Sequence, residues 1–130
     1  MRLTKAVDFA MRVLIRLARE GGPLTMPVLA KELHISYHHL VKLVQTLRNM
    51  ELVRTIQGKH GGVALVADSG AVTLRMVVEG FDGPTVLSEC LESGHGYCSF
   101  SDGCRFKEVL ASVQSDINLR LEAVTLASLV

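Results

Sequence analysis

A mainly α-helical chain carrying one small β-hairpin is the fold class that these 130 residues predict, on three observations. Apolar residues recur every three to four positions over five stretches, four of them opened by a Thr or Ser placed to cap a helix. Residues 52–66 break this pattern into two short runs around a Gly-rich tip. The composition, 48% apolar with no Trp, suits a soluble helical protein, and no run approaches the ~20 apolar residues of a membrane span.

Thr4 is placed to cap a first helix running to about Glu20, with Val7, Ala10, Met11, Leu14, Leu17 and Ala18 on its apolar face. Asp8 and Arg12 lie off that face one turn apart, which locally predicts an exposed ion pair. Gly21-Gly22-Pro23 ends the helix. Thr25 opens a short second helix with Pro27 in its first turn and Leu29, Ala30 and Leu33 inward. After the turn His34-Ile35-Ser36, a third helix runs from the Ser36 cap to about Met50. Leu40, Val41, Leu43, Val44 and Leu47 form its expected buried face, and His38, Lys42, Gln45 and Asn49 a polar stripe opposite.

Two short helices joined by a tight turn, the second with donors near its start, match a helix-turn-helix. Strands are expected over Leu52–Gln57 and Val63–Val66, around the tip Gly58-Lys59-His60-Gly61-Gly62. A Gly-rich hairpin with basic residues at its tip, directly after a helix-turn-helix, reads as a wing whose backbone can approach DNA closely. The candidate DNA contacts are Ser36, Tyr37, His38, His39 and Lys42 on the third helix, with Gln57, Lys59 and His60 on the wing. Taken singly, His38 and His39 also fit ordinary surface histidines.

Charge divides the chain. Residues 1–67 hold ten Lys/Arg against four Asp/Glu, a net of +6, and residues 68–130 hold four against nine, a net of −5. A basic half joined to an acidic half suggests a nucleic-acid-facing module fused to a different function. The expected organisation is therefore a DNA-binding winged helix-turn-helix over 1–67. Residues 68–130 then form a cysteine loop and a dimerisation helix within the same compact chain.

The second region begins after Asp68-Ser69-Gly70. Thr73 caps a short helix, LRMVVEGF, that gives out around Gly80 and Gly83-Pro84. All three cysteines follow in CLESGHGYCSFSDGC, spaced C-x7-C-x5-C in a Gly- and Ser-rich loop. Clustered thiols on such a loop point to a soft metal centre, zinc or iron–sulfur. Three thiols leave a tetrahedral or cubane site one ligand short, so a fourth is needed from elsewhere. The spacing also admits one disulfide with a spare thiol, or three unrelated thiols. Charged residues Arg2, Lys5, Asp8, Arg12 and Arg16 interrupt any signal-peptide core, so a cytoplasmic, reducing compartment is expected, where clustered Cys favours metal or redox work. The longest helix runs from Arg105 to about Glu122. Its stripe of Phe106, Val109, Leu110, Val113, Ile117, Leu121 and Val124 reads as a dimer seam, with packing against the subunit's own core as the alternative. Residues 125–130 close the chain as one more helical turn.

The segments MRLTKAVDFAMRVL, ISYHHLVKLVQTL, GKHGGVAL, the three-cysteine loop and the closing TLASLV together resemble the bacterial winged-helix iron–sulfur transcriptional regulators of the NsrR/IscR/RirA type. The resemblance implies a homodimeric repressor joined through the long helix and binding a palindromic operator in double-stranded DNA. It implies an iron–sulfur cluster in each subunit, [4Fe–4S] with [2Fe–2S] as the alternative, held by Cys90, Cys98 and Cys104. One branch of the family places a His three residues after the last Cys, where this chain has Lys107, which cannot ligate while charged. The nitric-oxide-sensing branch takes an Asp from the partner's first helix, and Asp8 stands at that place. The C-x7-C gap is more like the iron-sensing branch, which keeps iron sensing as an alternative signal. Gln57 stands where the family's wing usually carries Arg, with Lys59 as its substitute.

Two readings from other classes stand beside this one. Cys90, His95, Cys98 and Cys104 fit a closed Cys₃His zinc site in an interaction module. An enzyme would use Cys98 as nucleophile and His95 as base, but no orienting third group is apparent, so no catalytic residue is assigned.

Overall fold

The computed structural model describes every residue except Met1, His95, Tyr97 and Ser101. Five helices and one hairpin follow one another as α1 (Lys5–Glu20), α2 (Met26–Leu33), α3 (Tyr37–Asn49), β1 (Val53–Ile56), β2 (Gly62–Leu65), α4 (Leu74–Asp82) and α5 (Arg105–Ala123). Short 3₁₀ turns at Glu89–Leu91 and Leu126–Leu129 complete the described elements. The mainly helical class with a hairpin after the third helix is what the periodicity predicts.

Each of the four predicted caps forms. The Thr4, Thr25, Ser36 and Thr73 hydroxyls accept the N–H of Val7, Val28, His39 and Met76 at 3.2–3.4 Å, satisfying donors that a helix start leaves free. The C-termini of α2 and α3 are closed by backbone alone. Ile35 N–H donates to the Ala30 carbonyl and His34 N–H to that of Lys31, with His34 at φ 53°. Leu52 and Glu51 repeat the pattern on Leu47 and Arg48, with Glu51 at φ 60°. Both are Schellman motifs in which the residue after the cap takes a left-handed conformation, here without glycine, and in each the next residue, Ile35 or Leu52, is buried. The turn between α2 and α3 is thus fixed by hydrogen bonds and by the burial of Ile35.

The core gathers the apolar face of α1 with Leu29, Leu40, Leu43, Val44 and Leu47, the inner faces of the hairpin, Val72, Val77 and Leu126. α1 is buried more widely than its predicted stripe, since Val13 is also fully enclosed between its neighbours. Val41 departs from expectation. It is 44% exposed because it lies about 110° around α3 from the centre of the Leu40/Leu43/Val44/Leu47 face, at 100° per residue. α4 runs on to Asp82, one residue past the predicted Phe81. The helix continues through Gly80, where a Cβ would collide with the Met50 thioether.

In the hairpin, Val53 pairs with Leu65, Arg54 with Ala64, Thr55 with Val63 and Ile56 with Gly62. The strands are shorter than predicted on the first side, and Gly62 belongs to β2 rather than to the tip. Val63 also exchanges two backbone hydrogen bonds with Leu24, at 2.7 and 2.9 Å, which seats the hairpin against the α1–α2 connection. A Cβ on Gly62, at φ 149°, would run into the Leu24 carbonyl. Gly62→Ala therefore is expected to destabilise the protein by about 2 kcal/mol in urea denaturation, with loss of amide protection at Val63 and Leu24. Unchanged stability and protection contradict this account of the seat.

Candidate DNA face and cysteine cavity

The two regions singled out by sequence lie on different faces. On the first, Tyr37, His38, Val41, Lys42, Gln45, Arg48 and Asn49 of α3 are all exposed at the surface. Ser36 serves as the helix cap, and its oxygen is engaged by the His39 N–H. The amide of Gln45 donates to Asn49 Oδ1 at 3.1 Å, which orders part of the polar stripe. His39 is the exception among the predicted contacts. It is half-buried and meets the ring of Phe9 on α1 edge-on, with centroids 5.3 Å apart, so it turns toward α1.

Gln57, Lys59 and His60 are exposed at the end of the hairpin, where Gly61 N–H donates to the Gly58 carbonyl and closes the tip. One further exposed residue joins this face, beyond those that the sequence reading selects. Val41 places an apolar group among the polar side chains of α3, the kind of group that meets a thymine methyl in a major groove. Arg54, exposed on β1, lies instead beside Gly21, Gly22 and Pro23.

On the second face, Cys90, Cys98 and Cys104 are unbridged and half-buried, and all three line one cavity of 540 Å³ together with Ser88, Phe100, Phe106 and Lys107. Each is positioned differently. Cys90 sits in the 3₁₀ turn Glu89–Leu91, with its sulfur 3.3 Å from the Ser88 hydroxyl. The loop therefore includes a short regular turn where none was expected. Cys104 is the N-cap of α5, and its sulfur accepts the Lys107 N–H at 3.4 Å. Cys98 reaches the cavity from the irregular stretch between them. Among the described residues, no three His, Cys, Asp or Glu side chains converge closely enough to hold a metal ion. The donor set still fits a soft metal group: three free thiols face one common volume, and two sulfurs sit beside hydrogen-bonding groups of the kind that tune iron–sulfur centres. His95, the proposed zinc ligand, lies outside the described residues.

Asp8 does not line this cavity within its own chain. Its carboxylate pairs with Arg12 at 2.8 Å, both side chains about half-exposed, as the one-turn spacing predicts. Arg12 also lies over the Phe9 ring, 5.8 Å from its centroid.

The long apolar stripe of α5 is divided. Leu110, Ile117 and Leu121 are partly covered, on the side where α5 meets α4, whereas Phe106, Val109 and Val113 are 68%, 54% and 43% exposed. No residue of α5 is fully buried. The two readings of the helix, core packing and seam, each account for one flank. No helix among the described residues is long and apolar enough to cross a membrane.

Comparison with known proteins bears on both faces. Residues 3–130 match the Rrf2 family model, described as iron-dependent transcriptional regulators. Over its full length the chain is 33% identical to the HTH-type transcriptional regulator NsrR of Oceanobacillus iheyensis, covering 90% of that protein. It is likewise 30% identical to the HTH-type transcriptional repressor NsrR of Streptomyces coelicolor, covering 88% of it. Among solved structures it superposes on CymR, the global cysteine regulator of B. subtilis, with TM-score 0.80 and 25% identity over 99% of this chain and 95% of that one. The IscR of T. potens has the same fold, with TM-score 0.76 and 21% identity over 99% of this chain and 85% of that one.

The position of Cys104 allows a test that needs no metal. Sulfur is a weak acceptor for a helix cap, and a Ser hydroxyl is a strong one. Cys104→Ser is expected to raise the stability of the metal-free protein by up to about 1 kcal/mol, measured by thermal denaturation, whereas Cys104→Ala should not. A fall with Ser equal to that with Ala would mean that the sulfur does not cap α5.

Proposed function

The chain belongs to the Rrf2 family of transcriptional regulators, and from that premise we propose that it is a homodimeric, DNA-binding repressor that senses nitric oxide through an iron–sulfur cluster. It is a regulator and not an enzyme, as its relatives are. The observation that carries the sensing half is the meeting of three unbridged thiols on one cavity at the start of α5. Cys90, Cys98 and Cys104 would hold a [4Fe–4S] group there, one per subunit, and bound in that place it supplies an iron open to attack by a small diatomic ligand.

The fourth ligand is assigned to Asp8 of the other subunit. Support comes from its position: it is exposed on the first turn of α1, outside its own chain's cavity, and held only by an exposed ion pair with Arg12. Such a pair contributes ~0–1 kcal/mol, so giving it up costs little. A carboxylate is also a more replaceable iron ligand than a thiolate. The open flank of α5, Phe106, Val109 and Val113, forms the seam between subunits, while Leu110, Ile117 and Leu121, also expected there, are partly covered on the side toward α4. An exposed apolar row of this kind marks an interaction site.

The DNA half rests on α3 and the hairpin. Tyr37, His38, Val41 and Lys42 enter the major groove, with Ser36 at the helix start. Gln57, Lys59 and His60 meet the backbone or minor groove. His39 acts from behind, against Phe9. A twofold dimer presents two such faces to a palindromic operator. Release of the cysteine loop and of Asp8 alters the spacing of the two recognition helices, a two-state element biased by the ligand. One feature favours a second signal: the seven residues between Cys90 and Cys98 resemble the iron-sensing branch, so iron status is the alternative input.

Two measurements test the halves separately. Lys42→Ala and Lys59→Ala are each expected to weaken DNA binding and to flatten its salt dependence by about one unit of logarithmic slope for each phosphate no longer neutralised. Wild-type slopes in both variants would remove these residues from the DNA face. Asp8→Ala, purified anaerobically, is expected to keep fold and dimer while its cluster becomes labile to nitric oxide or air, followed by absorbance. Cys→Ala at 90, 98 or 104 should prevent stable assembly. If His95→Ala disturbs the metal centre while Asp8→Ala behaves as wild type, the ligand is local and the Cys₃His zinc site replaces the proposed one.

A further inference from the structure

One interaction belongs to neither face. Asp82, the last residue of α4, grips Thr4 with both carboxylate oxygens: the Thr4 hydroxyl donates to Oδ1 at 2.6 Å and the Thr4 N–H donates to Oδ2 at 3.2 Å. Thr4 is in turn the N-cap of α1. Its oxygen accepts the Val7 N–H at 3.4 Å, and its carbonyl accepts the Asp8 N–H at 3.2 Å. The first turn of α1, which carries Asp8, is therefore hung from the end of α4.

The other side of Asp82 leads directly into the cysteine loop. Gly83 and Pro84 follow it, and five residues beyond Asp82 the Leu87 N–H donates to Gln114 Oε1 of α5 at 3.0 Å. The stretch from Asp82 to Leu87 is thus short and fixed at both ends, to α1 through Thr4 and to α5 through Gln114, and Cys90 follows three residues later. Only seven residues separate Asp82 from Cys90, and α1 packs on α3 through the edge-on pair Phe9–His39.

We propose that Asp82 is a positioning residue that transmits the state of the cysteine loop to the DNA-binding half of the same subunit, through Thr4 and the first turn of α1. The inference rests on the regulatory reading above and adds a route within one chain to the ligand exchanged between chains. Charge-assisted hydrogen bonds are directional as well as strong, so the grip sets the orientation of Thr4 and not merely its proximity. Because the grip is exposed, removing it should leave folding nearly unchanged and appear in coupling instead.

The test uses full-length Asp82→Ala, with Thr4→Ser as the conservative change that keeps both the cap and the grip. The duplex is one selected by the wild-type protein from a random pool. DNA affinity is measured with the cluster loaded and with it removed, and amide exchange at Val7 and Asp8 is followed in the cluster-free protein. Asp82→Ala is expected to load cluster normally, to exchange faster at Val7 and Asp8, and to bring the two DNA affinities about five-fold closer together, the effect of removing one hydrogen-bonded link. Thr4→Ser is expected to keep the wild-type ratio. An unchanged ratio in Asp82→Ala overturns the proposal even if exchange quickens, because a merely structural link would do that alone. Should Asp82→Ala fail to fold, Asp82→Asn, which retains one acceptor for the hydroxyl, is judged by the same ratio. A wild-type protein whose two affinities coincide overturns the regulatory reading beneath it, a result distinct from a responsive wild type with a responsive variant.

Discussion

The burial of α1 is the constraint on which the remaining structure depends. Val7, Ala10, Met11, Val13, Leu14 and Leu17 leave almost no surface to water, and the helix touches α2, α3, α4, β2 and the C-terminal 3₁₀ turn. Enclosing a Leu or Val side chain is worth about 1.5–3 kcal/mol, so no other single element commands comparable apolar burial. α3, the hairpin and the start of the acidic half are consequently all referenced to one rod. Among the residues that remain exposed on that rod, Asp8 and Arg12 pair only with each other across one turn.

This arrangement explains how a chain of modest size carries two unlike surfaces. The basic half arranges donors on α3 and the hairpin, while the acidic half contributes Val72, Val77 and Leu126 to the same core. The acidic half is closed on itself by backbone, with Leu74 N–H donating to the Val124 carbonyl and Leu126 N–H to that of Val72, both at 2.8 Å. The Thr4–Asp82 grip then ties it to the start of α1 through exposed polar groups. Such bonds fix geometry at small energetic cost.

Most local features were legible in the sequence because their causes are local. The caps at Thr4, Thr25, Ser36 and Thr73 follow from residue type next to an apolar period, and the Asp8–Arg12 pair from helical spacing. The cysteine spacing identified the thiols, and the structure sets them around one volume. What escaped depended on distance along the chain or on small differences of angle. Asp82 and Thr4 are 78 residues apart, and no periodicity links them. The pairing of Leu24 with Val63 is backbone to backbone, so it leaves no side-chain signature. Val41 looked buried because it is apolar and adjoins the buried face, yet the turn of the helix carries it to the edge. The stripe on α5 likewise read as one surface, although only a rotation of the helix decides which flank meets α4.

The division of α5 ties the protein's integrity to its abundance. A 19-residue helix with no fully buried residue leans on its own subunit along one flank only, and most helical stability in proteins comes from packing. In the proposed dimer, the missing support comes from a second copy, so mass action governs how completely the helix is formed. Cys104 is the residue on which that helix begins. In a cell holding few copies, dilution would loosen not only the pairing of subunits but the rim of the cavity, and the capacity to retain a metal centre would fall with copy number before any signal arrived.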